Sequence, residues 1–238
     1  MIALFTDFGV DDMYVGQVQR VFAEQAPGVR VIDLLHTAPA FDVQAGAYLL
    51  CALQKRFQAG DVLLTVVDPG VGGPRAPLMV EADGRWFVGP DNGLLSRVII
   101  HARQCSSYRI LWHLEGVSDS FHGRDLFAPV AAMLATEVTP EHEPIEPELP
   151  DWPESLHRVI YIDHYGNAIT GISGESVSTE HRVKIGGLEV DYARVFSEAE
   201  TGQLFWYVNS IGLVEIAANQ DSAARILGLV IGDDCRIG

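Results

Sequence analysis

The chain has 238 residues, 48% apolar and 20% charged, a composition typical of soluble globular proteins rather than disordered or fibrous ones. At roughly 150 residues per domain this makes two modest domains or one large one, enough to bury a sizeable core. Sixteen Lys and Arg against 32 Asp and Glu leave a net charge of −16, which argues against nucleic acid and anionic membranes as partners and leaves a cationic small ligand open.

No apolar run approaches the roughly 18 to 20 residues that span a bilayer. The opening MIALFTDFGVDD lacks the basic region of a secretory signal. Cys51, Cys105 and Cys235 are far apart and fit neither a zinc pattern nor a disulfide framework. A cytoplasmic protein with reduced thiols is the expectation.

In chain order, IALFT (2–6) reads as a strand, followed by Tyr14, Val18, Val21 and Phe22 on one helix face. VRVIDLL (29–35) precedes a second such face, Val43, Ala47, Leu50 and Cys51. DVLLTVV (61–67) is a continuous apolar strand of the kind covered on both faces. LMVEA and RWFVG flank Asp83-Gly84, a hairpin turn, and LLSRVII and the helix-like DLFAPVAAMLA (125–135) complete the layer. The alternation predicts an N-terminal α/β domain, residues 1–138, with a mostly parallel central sheet. Residues 139–154, with five prolines, six acids and no Lys or Arg, suit an exposed linker. Beyond it RVIYID, AITGI, HRVKI, LEVDYARV, LFWYVNS and LVEIAA read as strands of a smaller β-rich domain, residues 155–238, with one short helix, SAARILGL.

In an open α/β sheet the residues just beyond each strand's carboxyl end carry the chemistry. After the first strand stands Thr6-Asp7-Phe8-Gly9-Val10-Asp11-Asp12, where Asp11 or Asp12 suits a helix N-cap and Asp7 a ribose or metal ligand. After the third stands Asp68-Pro69-Gly70-Val71-Gly72-Gly73-Pro74-Arg75, a glycine-rich loop whose Arg can fold back on Asp68. It matches neither the P-loop nor the dinucleotide fingerprint. Gly89-Pro90-Asp91-Asn92-Gly93 reads as a turn into a helix, capped by Asp91 or Asn92. Phe121-His122-Gly123-Arg124-Asp125 opens the last helix of the domain. None of the eight histidines shows metal-ligand spacing. Asp163-His164-Tyr165-Gly166-Asn167 and Asn209-Ser210-Ile211-Gly212 read as loops between strands.

Taken together and in order, TDFGVDD, DPGVGGPR, VGPDNG, FHGRDLFAP, IDHYGNAITGI and NSIGLVEIAANQ resemble the S-adenosyl-L-methionine (SAM) hydroxide adenosyltransferases, or SAM hydrolases, relatives of the fluorinase and chlorinase. The resemblance implies an N-terminal α/β domain, a smaller β-barrel-like C-terminal domain, and a homotrimer with active sites between subunits. It implies hydrolysis of SAM to adenosine and L-methionine, with no cofactor and no metal. Its catalytic Asp, Arg and His fall on Asp68, Arg75 and His122. Halogenating relatives have a tyrosine at the position of Asp68 and lack the histidine. Val71 and Gly123 stand where they bind halide, so water is the implied nucleophile. Asp7 matches the ribose ligand and Phe41 the aromatic wall over ribose and sulfur. Asp163 and Ser210 match the methionine contacts, Asn167 the adenine contact and Phe196 the ring stacked on it. Ile211 departs from the halogenases' arginine. Either Asp68 or His122 would serve as the base.

Two other readings remain. Asp7, Asp11, Asp12, His36 and His122 could form a metal-dependent phosphohydrolase, distinguished by chelator-sensitive activity on phosphate esters. A non-catalytic SAM- or adenosine-binding protein would bind tightly without turnover.

Overall fold

The computed structural model describes residues 1–112 and 116–238, and the chain divides into two units, Met1–Pro150 and Asp151–Gly238. In the first unit β1 (Ile2–Thr6), β2 (Val31–Leu35), β3 (Val62–Val66), β4 (Pro77–Ala82), β5 (Arg85–Pro90), β6 (Cys105–Ile110) and β7 (His142–Pro144) form one sheet in the order β2-β1-β3-β5-β4-β6-β7. The β2-β1-β3-β5 half is parallel, and β4 and β7 alone run against the rest. β1 and β3 are buried along their whole length, which is why their sequences are apolar without alternation.

Helices α1 (Met13–Gln25), α2 (Val43–Leu53), α3 (Ser96–His101) and α4 (Ala128–Ala135) accompany the sheet. Asp12 caps α1, accepting from the Met13 N–H at 2.7 Å, and Val18 and Phe22 on its apolar face pack into the core with Leu4, Leu64 and Phe127. Asp83 and Gly84 both have positive φ, 50° and 78°, the backbone of a two-residue hairpin turn.

Three features differ from the sequence reading. The Asn92 side chain caps no helix: its Nδ2 donates to the Val67 carbonyl at 3.0 Å and its Oδ1 accepts from the Leu94 N–H at 3.2 Å, tying the turn to the end of β3. Asp91 does not cap either, and accepts from the Glu148 N–H at 2.8 Å. β6 and β7 were not anticipated, because CSSYRI is largely exposed and shows no alternation, and β7 lies at the sheet edge, where its proline is tolerated.

In the second unit β8 (Leu156–Ile162), β9 (Ala168–Ser173), β12 (Leu204–Val208) and β13 (Leu213–Ala218) form an antiparallel sheet ordered β12-β13-β9-β8. β10 (Val183–Ile185), β11 (Leu188–Val190) and β14 (Arg236–Ile237) form a smaller one. Trp206, Val214, Ile216, Val183 and Ile185 share the core between them. The unit is β-rich as expected, but no closed barrel forms among the described residues: the smaller sheet's strands span two or three residues. The short helix α5 (Ala223–Leu227) is capped by Ser222 and ends at Gly228, whose φ of 65° closes a left-handed cap. Among the described residues no helix is long and apolar enough to cross a membrane.

Candidate active site

β1 and β3 are paired neighbours with Thr6 opposite Val66, so Asp7 and Asp68 leave the sheet close together at its carboxyl edge. The loop after β3 turns sharply at Gly72, with φ of 78°, and a Cβ there would lie 2.6 Å from the Asp119 carbonyl oxygen. Glycine is therefore required for the loop to pack against the 118–121 turn. That fold returns Arg75 onto Asp68. The guanidinium Nε donates to both carboxylate oxygens, at 2.9 and 3.0 Å, and Nη2 donates to Oδ2 as well. The two side chains are only 10% and 4% exposed. Arg75 also lies 5.5 Å over the Phe127 ring and donates from Nη2 to His122 Nδ1 at 2.9 Å.

That last contact fixes the state of His122. A guanidinium only donates, so Nδ1 must accept, and in the neutral ring the proton sits on Nε2. Burial, and then the positive charge of Arg75, hold His122 below the ordinary histidine range. The ring is thus a neutral donor through Nε2–H. His122 reaches this place because α4 is preceded by a wide π-helical turn, Gly123–Phe127. A Cβ on Gly123 would lie 2.8 Å from the Phe8 ring, so glycine lets that ring close against the turn.

Asp7, Asp68, Val71, Phe121, His122 and Gly123 line a small cleft of about 70 Å³. Burial raises the Asp7 pKa, the Phe41 N–H opposes this from 3.4 Å, and the charge of Asp68 adds to the rise. Phe41 is 78% exposed and held at a φ of 63°, unusual for a non-glycine residue. Holding a non-glycine residue in this strained backbone costs about 1 kcal/mol or more.

Of the residues of the phosphohydrolase reading only Asp7 and His122 share a cleft. Asp12 serves as a helix cap and Asp11 is exposed. His36 is buried between the Thr6 hydroxyl at 2.7 Å and the Asp33 carboxylate at 3.0 Å. No three metal-ligating side chains converge among the described residues.

The second unit has its own cleft, about 560 Å³, lined by Tyr165, Asn167, Phe196, Asn219 and Ser222 among others. Asp163 accepts from the N–H groups of Tyr165 and Asn167 through Oδ1 and from Asn167 Nδ2 through Oδ2, each at 2.9 Å. This leaves the Asn167 side-chain oxygen as the acceptor available to a ligand. Phe196 is held edge-on to Phe205 and Tyr207, with centroids 5.0 and 5.5 Å away. Asn167 and Phe196 are thus brought together. Asp163 stands behind Asn167 and does not line the cleft, and Ser210 is exposed on the β12–β13 turn outside it.

Residues 2–143 match the model of the SAM hydroxide adenosyltransferase N-terminal domain, and residues 157–236 that of the C-terminal domain. The chain belongs to the SAM hydroxide adenosyltransferase family. It is 38% identical to a protein of Thermus thermophilus named (R)-S-adenosyl-L-methionine hydrolase, over 99% of this chain and 98% of that one. A fluorinase of Nocardia brasiliensis is 26% identical over 98% and 94% of the two chains. Among solved structures, an uncharacterized conserved protein of Thermotoga maritima superposes with a TM-score of 0.88 at 30% identity, covering 100% of this chain and 99% of that one.

Two residues of this family member escaped the sequence reading. Tyr165, 75% exposed, puts a second ring into the C-terminal cleft, and its only signal is an aromatic inside a turn. Glu215 is 3% exposed, and its signal is a lone acid in the apolar strand LVEIAA.

Proposed function

We propose that the chain hydrolyses SAM to adenosine and L-methionine by in-line attack of water on the 5′ carbon, with Asp68, Arg75 and His122 as the catalytic group. The observation that carries this reading is that Asp68 and His122, bridged by Arg75, line a cleft with room for a few water molecules. The sulfonium leaves without protonation, so activation of the nucleophile is the difficulty. With a free-water pKa near 15.7, preforming hydroxide at neutral pH costs about 12 kcal/mol, so the proton is removed as attack proceeds. Arg75 Nε alone engages Asp68 Oδ1, which retains a lone pair for the water's proton. Asp68 is therefore assigned as the base. His122, its Nδ1 engaged by Arg75, offers Nε2–H to one lone pair of the water while the other attacks.

Asp7 holds the ribose hydroxyls and Phe41 covers the ribose and sulfur region. Asn167 accepts from the adenine amino group, with Phe196 against the ring, and Asp163 and Ser210 serve the methionine end. Val71 and Gly123 leave no hydroxyl to bind a halide. Incubation with SAM in isotopically labelled water is expected to give adenosine and methionine in equal amounts, with the label on the 5′ oxygen of adenosine by mass spectrometry. Methylthioadenosine with the label in homoserine, or no products, would exclude the assignment.

We further propose a homotrimer in which one subunit's N-terminal residues and its neighbour's C-terminal residues complete each site. Co-expressed Asp68→Ala and Asn167→Ala chains, each impaired alone, should then recover about one quarter of wild-type activity, because random mixing in a cyclic assembly leaves that share of sites intact. A site built within one chain recovers none.

A further inference from the structure

Along β13 the side chains alternate between two faces. Val214, Ile216 and Ala218 enter the main core of the second unit. Glu215 lies on the opposite face with Ala217, where Phe205 and Tyr207 of β12 also pack. Tyr207 stands directly opposite Glu215 in the β12–β13 register, and Ile169 opposite it on β9. Two donors reach the carboxylate: the Tyr207 hydroxyl to Oε1 at 2.5 Å, and Asn209 Nδ2 to Oε2 at 2.8 Å.

Each donor has a second task. The Tyr207 ring lies 5.5 Å from Phe196, the ring lining the C-terminal cleft. The Asn209 side-chain oxygen accepts from the N–H groups of Ile211 at 3.1 Å and Leu213 at 3.0 Å, which fixes the turn that carries Ser210. One buried carboxylate thus clamps the supports of two proposed substrate contacts. Burial lifts Glu215 above the usual carboxylate range and the charge of Asp163 adds to it, against the hydrogen bonds of Tyr207 and Asn209. Holding the ionised form there opposes stability above the raised pKa, so fold stability alone does not account for a glutamate at this position.

We propose that Glu215 is a positioning residue for the substrate, setting the Phe196 ring through Tyr207 and the Ser210 turn through Asn209. The proposal rests on the SAM-hydrolysing reading of the site. Glu215 touches neither reacting atom, and Asp68, Arg75 and His122 lie on the other unit, so its loss should fall on binding.

In Glu215→Gln an amide nitrogen replaces one acceptor oxygen and cannot receive the second donor. KM for SAM is expected to rise about tenfold with kcat within about twofold of wild type. Tyr207→Phe keeps the ring and removes only the hydroxyl; it folds independently of any cost in Glu215→Gln and should raise KM about threefold. A lowered kcat at unchanged KM, the mark of fewer folded molecules, would overturn the proposal, as would wild-type KM in both variants. Failure of the SAM reading looks different, since wild-type protein would then release no adenosine. Titration with adenosine by calorimetry still decides in that case. About tenfold weaker binding by Glu215→Gln supports the role, and equal affinity, or no binding by wild type, overturns it.

Discussion

Asp68→Ala is expected to lower kcat for SAM hydrolysis by about three orders of magnitude, with a smaller change in KM, measured as initial rates of adenosine formation at saturating SAM. Removal of a positioned base alone is worth roughly two to four orders of magnitude. The alanine also frees Arg75, whose guanidinium is fixed by two Nε contacts at 2.9 and 3.0 Å to Asp68, and so loosens its grip on His122. Asp68→Asn separates these effects. Its side-chain oxygen still accepts from Arg75 while the amide nitrogen gives up the other contact, so the anchor for Arg75 is kept in part, but the amide takes no proton. Equal loss in the alanine and asparagine variants identifies proton removal as the contribution of Asp68. An asparagine variant within about tenfold of wild type would reduce Asp68 to an anchor for Arg75, and His122 would then have to be the base.

The parts of this arrangement that sequence reveals are those set by local rules. Strands β1 and β3 are legible because burial on both faces writes continuous apolar runs, and parallel pairing then places Asp7 and Asp68 at one edge. The fold-back of Arg75 onto Asp68 is legible too, since a loop of six residues rich in glycine joins them. The contact of Arg75 with His122, 47 positions on, has no local signal and is suggested only by the ordered motifs of the family. Phe41 looks like any loop aromatic until its φ of 63° and its exposure are known. Asn92 reads as a helix cap because asparagine after a turn usually is one, yet a carbonyl at the end of β3 claims its amide. β6 and β7 are sustained by backbone pairing at the sheet's edge, a force that leaves little trace in side-chain pattern.

The large acidic excess also takes a more definite form. The six acids of residues 139–154 are all exposed and make a solvated surface, most of it on the first unit, whose sheet this stretch joins through β7. Asp7 and Asp68 face the N-terminal cleft, where the paired charge of Arg75 cancels one of them. A sulfonium loses its charge in the transition state, so a carboxylate against the sulfur would favour substrate over transition state. The proposed assignment, with aromatic Phe41 over the sulfur and carboxylates farther along the ligand, would avoid this penalty.

The second large effect is expected at Arg75. Arg75→Ala leaves Asp68, 4% exposed, as a buried carboxylate without its partner, and a broken buried pair of this kind costs about 3 to 5 kcal/mol. For a domain of this size that lowers Tm by roughly 10 °C, readable by thermal unfolding. Turnover should fall about a hundredfold or more, since the fork that aligns base and His122 is gone. Arg75→Lys restores the charge but not the fork: one ammonium can satisfy Asp68 or His122 at full strength, so stability returns further than kcat does. The double variant Asp68→Asn, Arg75→Ala removes both charges together and should be more stable than Arg75→Ala alone, although no more active. If the double variant is instead the less stable, the two losses add, Asp68 is already solvated without Arg75, and the ion pair does not organise the cleft. If it is the more stable, the charge of Arg75 is what permits a buried carboxylate at the edge of the sheet, and the base and its orienting cation are one structural unit.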